Sequence, residues 1–484
     1  MSQRVDWYSE KKKMSQNLKY KSTRGMESNL SFEDVLLNGL ARDGGLYMPE
    51  KWPKFSYKEL VEMQDLDYTS LAEKIILPFV GSNLKQKIGK ISRKVYKKFN
   101  GKEKAPLIKL EDNFYLMELF HGPTFAFKDY AMQFLSELFS EVLNNSKRKI
   151  VILGATSGDT GSAALEAFRG KKNTDIFILF PHDRVSLVQR KQMTSINQKG
   201  CIPIAVRTDF DGCQDIVKNL FSDDKFRDQV SLSAINSINW GRLVPQIVYY
   251  FYGALKLGAP KQKVSFSVPT GNFGNILAGW IAMKMGLPIE KLICGSNQND
   301  ILTRFFYTGK MERKNVIPSL SPSMDIQVSS NFERLLFEIL NRDSKKLIDL
   351  MKKFNISNHY DVPENNMLRL KETFLAFKAS DNDIINTIKN TYDRYKYLLD
   401  PHTAVAIFSG EKALKNKLIS KNTPLITLGC AHPAKFPDTI LKSLNFKPKN
   451  PIKLEKIVKS KENFEVIDND LEVIKNYILK KMRS

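Results

Sequence analysis

From Pro106 onward, short apolar runs alternate with amphipathic helical segments, and this alternation restricts the fold more than any other feature of the chain. The runs Ile150–Leu153, Ile176–Phe180, Ile202–Val206, Val230–Ala234, Val264–Val268, Leu292–Cys294 and Leu425–Leu428 read as strands. Between most of them lies one helical segment: Ala163–Phe168, Leu187–Ile196, Cys213–Phe221, Leu243–Leu257 and Ile276–Met285. A helix between successive strands predicts parallel α/β sheets with right-handed crossovers. Active sites in such folds sit beyond the carboxyl ends of the strands.

The rest of the chain frames this pattern. Residues 1–18 read as a loose extension, and 19–105 as a smaller, mostly helical N-terminal domain. Its helix pattern runs from Phe32 to Leu40, ahead of a turn at Asp43-Gly44-Gly45. The α/β part divides into 106–245 and 246–484. A charged, mostly helical insertion occupies about 332–399, and a lysine-rich tail closes with a helix from Leu471 to Lys481.

Composition excludes more than it assigns. At 484 residues, 42% hydrophobic and 26% charged, the chain is long enough for a large core and reads as globular. It has no apolar run of about 18 residues, so no membrane span is expected. Lys11–Lys13 are not followed by an apolar stretch, so a signal peptide is not expected and the cytoplasm is the expected compartment. Cys201, Cys213, Cys294 and Cys430 lack CxxC spacing, and the five histidines lack metal-ligand spacing, which argues against zinc and disulfides. The net charge of +23 is spread along the chain and not gathered into one basic arm, so a nucleic-acid partner is not expected.

Chemistry concentrates in four segments. HGPTFAFKDYAMQF (His121–Phe134) places Lys128 between Phe127 and Asp129, at the start of a helix with Ala131, Phe134, Leu135, Leu138, Phe139 and Val142 on one face. An amine desolvated there suits Schiff-base chemistry with an aldehyde cofactor; a lysine snorkelling off a helix start is the plain alternative. GATSGDTG (Gly154–Gly161) follows a strand with Thr156, Ser157, Gly158, Asp159 and Thr160, where free backbone N–H groups receive a carboxylate or phosphate. VPTGNFGNILAG (Val268–Gly279) offers Gly271, Asn272, Phe273, Gly274 and Asn275 as a phosphate cup. It is neither a P-loop nor GxGxxG, so a small cofactor with one phosphate fits better than ATP or a dinucleotide. ITLGCAHPAKF (Ile426–Phe436) ends the last strand with Cys430. An amine, a phosphate cup and an anion-binding turn together are what pyridoxal 5'-phosphate and an amino-acid substrate need.

HGPTFAFKD, TSGDTG, GNFGN, SPSMDIQVSSNFERLLFE (Ser321–Glu338) and AHPAKFPD, with STRG and ARDGGLY near the N-terminus, resemble the threonine synthase family over nearly the whole chain. That resemblance implies a fold-type-II pyridoxal-phosphate enzyme of two parallel-sheet α/β domains with a smaller N-terminal domain. It implies conversion of O-phospho-L-homoserine and water to L-threonine and phosphate, by a monomer or homodimer. Lys128 would carry the cofactor and shuttle protons. Gly271–Asn275 would hold the cofactor phosphate, and Thr156–Thr160 the substrate carboxylate, with Asp159 near the phenolic oxygen. Cys430 stands where the family pattern has a threonine facing the pyridine nitrogen, and a thiol is the weaker partner. Arg24 and Arg242 are candidates for the substrate phosphate; Arg184 is a third, in a segment with Ser186-Leu187 where related segments carry Ser-Pro. Two alternatives stay open: a phospho-lyase releasing 2-oxobutyrate and ammonia, and a non-catalytic relative that binds nucleic acid.

Overall fold

The computed structural model describes residues 17–146 and 148–483, so all but two residues of the expected N-terminal extension lie outside it. Fifteen strands are described: Tyr20–Ser22 (β1), Tyr47–Pro49 (β2), Leu107–Glu111 (β3), Phe114–Glu118 (β4), Ile150–Ala155 (β5), Thr174–Pro181 (β6), Cys201–Val206 (β7), Leu232–Ala234 (β8), Val264–Pro269 (β9), Ile289–Ser296 (β10), Lys310–Glu312 (β11), His359–Asp361 (β12), Phe374–Lys378 (β13), Leu425–Gly429 (β14) and Glu465–Ile467 (β15). Two parallel sheets dominate. One has the order β13-β10-β9-β14-β4-β3, with only the β3–β4 pair antiparallel; the other has the order β15-β7-β6-β5-β8 and is parallel throughout. The central strands β6 and β9 are buried at every residue, as strands covered on both faces must be.

All seven strands and all five helices expected in the α/β part are present, most extended by one to four residues at an end. Sheet membership does not follow the expected division between 245 and 246. β3 and β4 join the six-stranded sheet, although they precede the Lys128 helix, and β15 returns from the C-terminal tail to pair with β7. Neither excursion is visible in local periodicity, because parallel neighbours are chosen by the packing of distant segments. The insertion at about 332–399 is also not purely helical. Between its helices lies β13, FLAFK, whose Phe374 and Ala376 face the core while it forms the edge of the six-stranded sheet beside β10. The N-terminal region adds a two-stranded antiparallel sheet, β1 with β2, to its four α-helices.

Two helices bring the layers together. The segment Trp240–Lys256 has only its last residue out of the core, so it is a buried helix, apolar nearly all round. The Lys128–Ser146 helix packs against it. Trp240 is met edge-on by Tyr20 and Phe79 at ring-centroid distances of 6.0 Å, which seats the N-terminal region on the same core.

Candidate active site

The carboxyl ends of β5, β9 and β14 open into one cleft of about 700 Å³, part of it open to solvent. Lys128 reaches it because the chain just before it is stitched to the segment that follows β14. Phe127 N–H donates to Cys430 O at 2.8 Å, and His432 N–H donates to Phe125 O at 3.0 Å. This short antiparallel contact sets Lys128 beside Cys430, although 302 positions separate them in sequence.

Lys128 is 9% exposed, its ammonium 4.9 Å from the centre of the Phe127 ring and 3.5 Å from Asp159 Oδ2. Burial lowers its pKa, while the charge of Asp159 opposes that shift. Asp159 opens the helix Asp159–Phe168, and its Oδ1 accepts from Lys435 Nζ at 2.8 Å and Gln189 Nε2 at 2.9 Å. Burial alone would raise its pKa, but Lys435, Lys128 and His402 outweigh burial and hold the carboxyl far below the usual range. Lys435, fully buried, also donates to Thr124 O at 2.9 Å.

The turn after β9 is shaped to receive an anion. Phe273 takes a left-handed φ of 62° and buries its ring against Phe306, Phe332 and Phe374, anchoring the turn where the helix Gly274–Lys284 begins. A Cβ at Gly271 would lie 3.0 Å from Ser323 O and 3.3 Å from Met324 Cα, tighter than ordinary contact, so the facing backbone would have to give way. The backbone N–H groups of Gly271–Asn275 have no partner among the described residues. Two buried side-chain donors lining the cleft, Arg242 Nε and Asn275 Nδ2, are also unpartnered. Asn275 is held by Tyr249 and Tyr250, whose hydroxyls donate to its Oδ1 at 2.6 and 3.0 Å. Arg242 donates to Ile235 O at 2.9 Å and pairs with no carboxylate among the described residues; burial pushes its pKa down to about 10. Unpaired donors converging on one cleft in this way are suited to holding an anion.

Of the residues singled out in the sequence, Lys128, Asp159, Thr160, Arg242, Gly271–Asn275 and Cys430 line this cleft. Thr156, Ser157, Gly158, Arg24 and Arg184 do not. The Thr156 hydroxyl accepts from Gly158 N–H and Gly161 N–H, both at 2.9 Å, and so braces the turn from inside. Gly158, at φ 138°, lies beneath the Gln189 side chain. Arg24 is half-buried and paired with Glu333 Oε2 at 2.9 Å, and Arg184 is exposed. Sequence reasoning missed Lys435 and His402. Lys435 stands in the quoted AHPAKF segment, but nothing local marks its ammonium as buried. His402 follows Asp400-Pro401, which reads as a helix start and nothing more. His402 Nδ1 lies 3.0 Å from Asp400 Oδ1, and its Nε2 accepts from Ser323 N–H at 3.2 Å, tying the Ser321–Met324 wall to the cleft.

Three family models cover most of the chain: "Threonine synthase N terminus" over residues 19–96, "Pyridoxal-phosphate dependent enzyme" over 100–353 and "Threonine synthase, C-terminal" over 403–478. The threonine synthase of Pseudomonas aeruginosa is 45% identical over 463 residues, covering 95% of this chain and 98% of its own length. The chain belongs to the threonine synthase family. The threonine synthase of Saccharomyces cerevisiae is 38% identical over 95% of this chain and 97% of its own length. Among solved structures, the pyridoxal-phosphate-bound threonine synthase of Brucella melitensis superposes with a TM-score of 0.92 at 43% identity, covering 96% of this chain and 100% of that one. The yeast enzyme follows at 0.90 and 37%, covering 97% and 99%. The family resemblance and the fold-type-II architecture read from the sequence are therefore borne out. The unpaired donors around Gly271–Asn275 and the buried amine of Lys128 are the features a phosphorylated aldehyde cofactor requires.

Proposed function

We propose that this chain is a threonine synthase that uses pyridoxal 5'-phosphate to convert O-phospho-L-homoserine and water into L-threonine and phosphate. The observation that carries this reading is the meeting of Lys128 with the unpartnered donors of Gly271–Asn275 in one cleft, in a chain similar to threonine synthases from end to end. When bound, the cofactor supplies an electron sink for carbanions at the substrate carbons.

The protein's own residues supply the rest. Lys128 is the base and acid for the protons on Cα and Cβ. Burial favours its neutral form, and Asp159 at 3.5 Å steadies it whenever it is charged. Asp159, kept anionic by Lys435, is a fixed negative charge facing the amine and does not itself exchange protons. Gly271–Asn275 hold the cofactor phosphate through backbone N–H groups at a helix start. The turn Thr156–Thr160 receives the substrate carboxylate, with Thr160 facing the cleft and Thr156 fixing the backbone. Arg242 is the candidate arginine that lines the cleft, and we assign it to phosphate recognition; Arg24 is paired with Glu333 away from the cleft. Burial keeps the Cys430 thiol protonated, so it offers the ring nitrogen only a weak, neutral partner.

We assign the protein to the cytoplasm, as a monomer or homodimer whose partner is its small-molecule substrate and neither a membrane nor a nucleic acid. Its four cysteines are free, and among the described residues no helix is long and apolar enough to cross a membrane.

The test has two steps. Purified protein should show visible absorbance that borohydride bleaches while fixing the cofactor covalently to Lys128, and Lys128→Ala should lack both the absorbance and the covalent attachment. Incubation with O-phospho-L-homoserine should then give threonine and phosphate in equal amounts. An excess of 2-oxobutyrate over threonine would replace this reading with the phospho-lyase.

A further inference from the structure

We propose that Asn331, steadied by Arg334, is a positioning residue that aims the phosphate cup. This inference rests on Gly271–Asn275 holding the cofactor phosphate.

The segment Ser329–Arg334 runs along the outer side of the turn and takes up its carbonyls. Ser329 Oγ donates to Gly271 O at 2.7 Å. Asn331 donates twice to Asn272 O, from its backbone N–H and from Nδ2, both at 3.1 Å. A trans peptide is planar, with the carbonyl of one residue and the N–H of the next pointing in opposite directions. Drawing Gly271 O and Asn272 O onto the strap therefore turns the N–H groups of Asn272 and Phe273 away from it, on the residues that line the cleft. Without the strap these two carbonyls have no hydrogen-bond partner among the described residues.

The Asn331 amide is itself fixed. Its Nδ2 also donates to Ser237 O at 3.0 Å, and its Oδ1 accepts from Arg334 Nη1. Arg334 is fully buried with no hydrogen-bonded carboxylate among the described residues; its Nε donates to Tyr47 O at 3.0 Å and its Nη2 to Ile238 O at 2.6 Å, and its guanidinium lies 5.5 Å from the Trp240 ring. Two side chains thus join β2, the Ser237–Ile238 loop and the cup. A buried guanidinium bonded to carbonyls is costly to desolvate, and here those carbonyls belong to the parts whose relative placement sets the cup.

The experiment compares pyridoxal 5'-phosphate with pyridoxal, which carries the aldehyde but no phosphate. Full-length protein freed of cofactor is titrated with each while visible absorbance reports capture by Lys128. Asn331→Ala should weaken pyridoxal phosphate binding by about tenfold or more, the scale of one to two lost hydrogen bonds, and leave pyridoxal within about twofold. Ser329→Ala, at a half-exposed position that tolerates truncation, should show the same selective loss at about fivefold, and it decides the matter if Asn331→Ala does not fold. Equal losses for both ligands would make the strap merely structural, and unchanged binding of both would remove its role; either overturns the proposal. A wild type that binds the two ligands equally would show that the cup holds no phosphate, overturning the underlying reading as well.

Discussion

Replacing Lys435 with methionine tests the electrostatics of the site most sharply. The substitution keeps the length and volume of a fully buried side chain and removes one ammonium, 2.8 Å from Asp159 Oδ1. Asp159 keeps Gln189 at 2.9 Å and Lys128 at 3.5 Å, but loses the cation that does most to hold it ionised. Breaking a buried pair from one side costs about 3–5 kcal/mol, because the other charge stays desolvated. The remaining partners favour the lower end, about 3 kcal/mol, which for a chain of this length corresponds to a fall in Tm of about 3 °C. Differential scanning calorimetry measures this directly. The double variant Lys435→Met with Asp159→Asn should fall less than the sum of the single changes, by at least about 1 kcal/mol. The sign with pH also follows. A carboxyl whose folded pKa is depressed contributes stability above its unfolded value of about 3.9 and loses it below. The stability that ionised Asp159 contributes to the wild type should therefore be full at neutral pH and begin to fall only below about pH 4. A Lys435→Met protein melting within about 1 °C of wild type, or strict additivity in the double variant, would refute the pairing as the source of the charge at Asp159.

Gly271→Ala should weaken pyridoxal phosphate capture by more than about tenfold in the same absorbance titration, because its Cβ meets backbone atoms at 3.0 and 3.3 Å and the cup must open. Cys430→Thr should leave Tm within about 2 °C and change the cofactor absorbance and turnover several-fold, a hydroxyl being the stronger partner; identical spectra and kcat would place Cys430 away from the ring nitrogen. His432 is pushed down to about 4 by burial, so the folded protein resists protonation there while the unfolded chain accepts it near 6.5. Stability should fall as pH drops from about 6.5 to about 4, and His432→Phe should flatten that part of the Tm–pH curve relative to wild type.

The sequence alone determined the class of fold and the chemistry. Apolar runs such as IVIL and VSFSV, alternating with helical patterns, leave parallel α/β sheets as the arrangement that buries both faces. The strand-to-helix turns that follow β5 and β9, with Lys128, carry residue types whose chemistry is local: glycines where backbone must bend, an amine beside aromatic rings, N–H groups at helix starts. Tertiary structure decided what depends on neighbours distant along the chain. β3, β4, β13 and β15 found sheets that their own periodicity does not indicate, because edge pairing is set by what the rest of the core leaves open. Lys435 and Arg334 read in the sequence like any other basic residues, and only the fold buries them, one against Asp159 and the other against the carbonyls of Tyr47 and Ile238. The fate of Arg24 and Thr156 was decided in the same way, by Glu333 and by the amides of Gly158 and Gly161. A charge or hydroxyl takes its role from the dielectric and the partners around it, and those exist only after the chain has closed on itself.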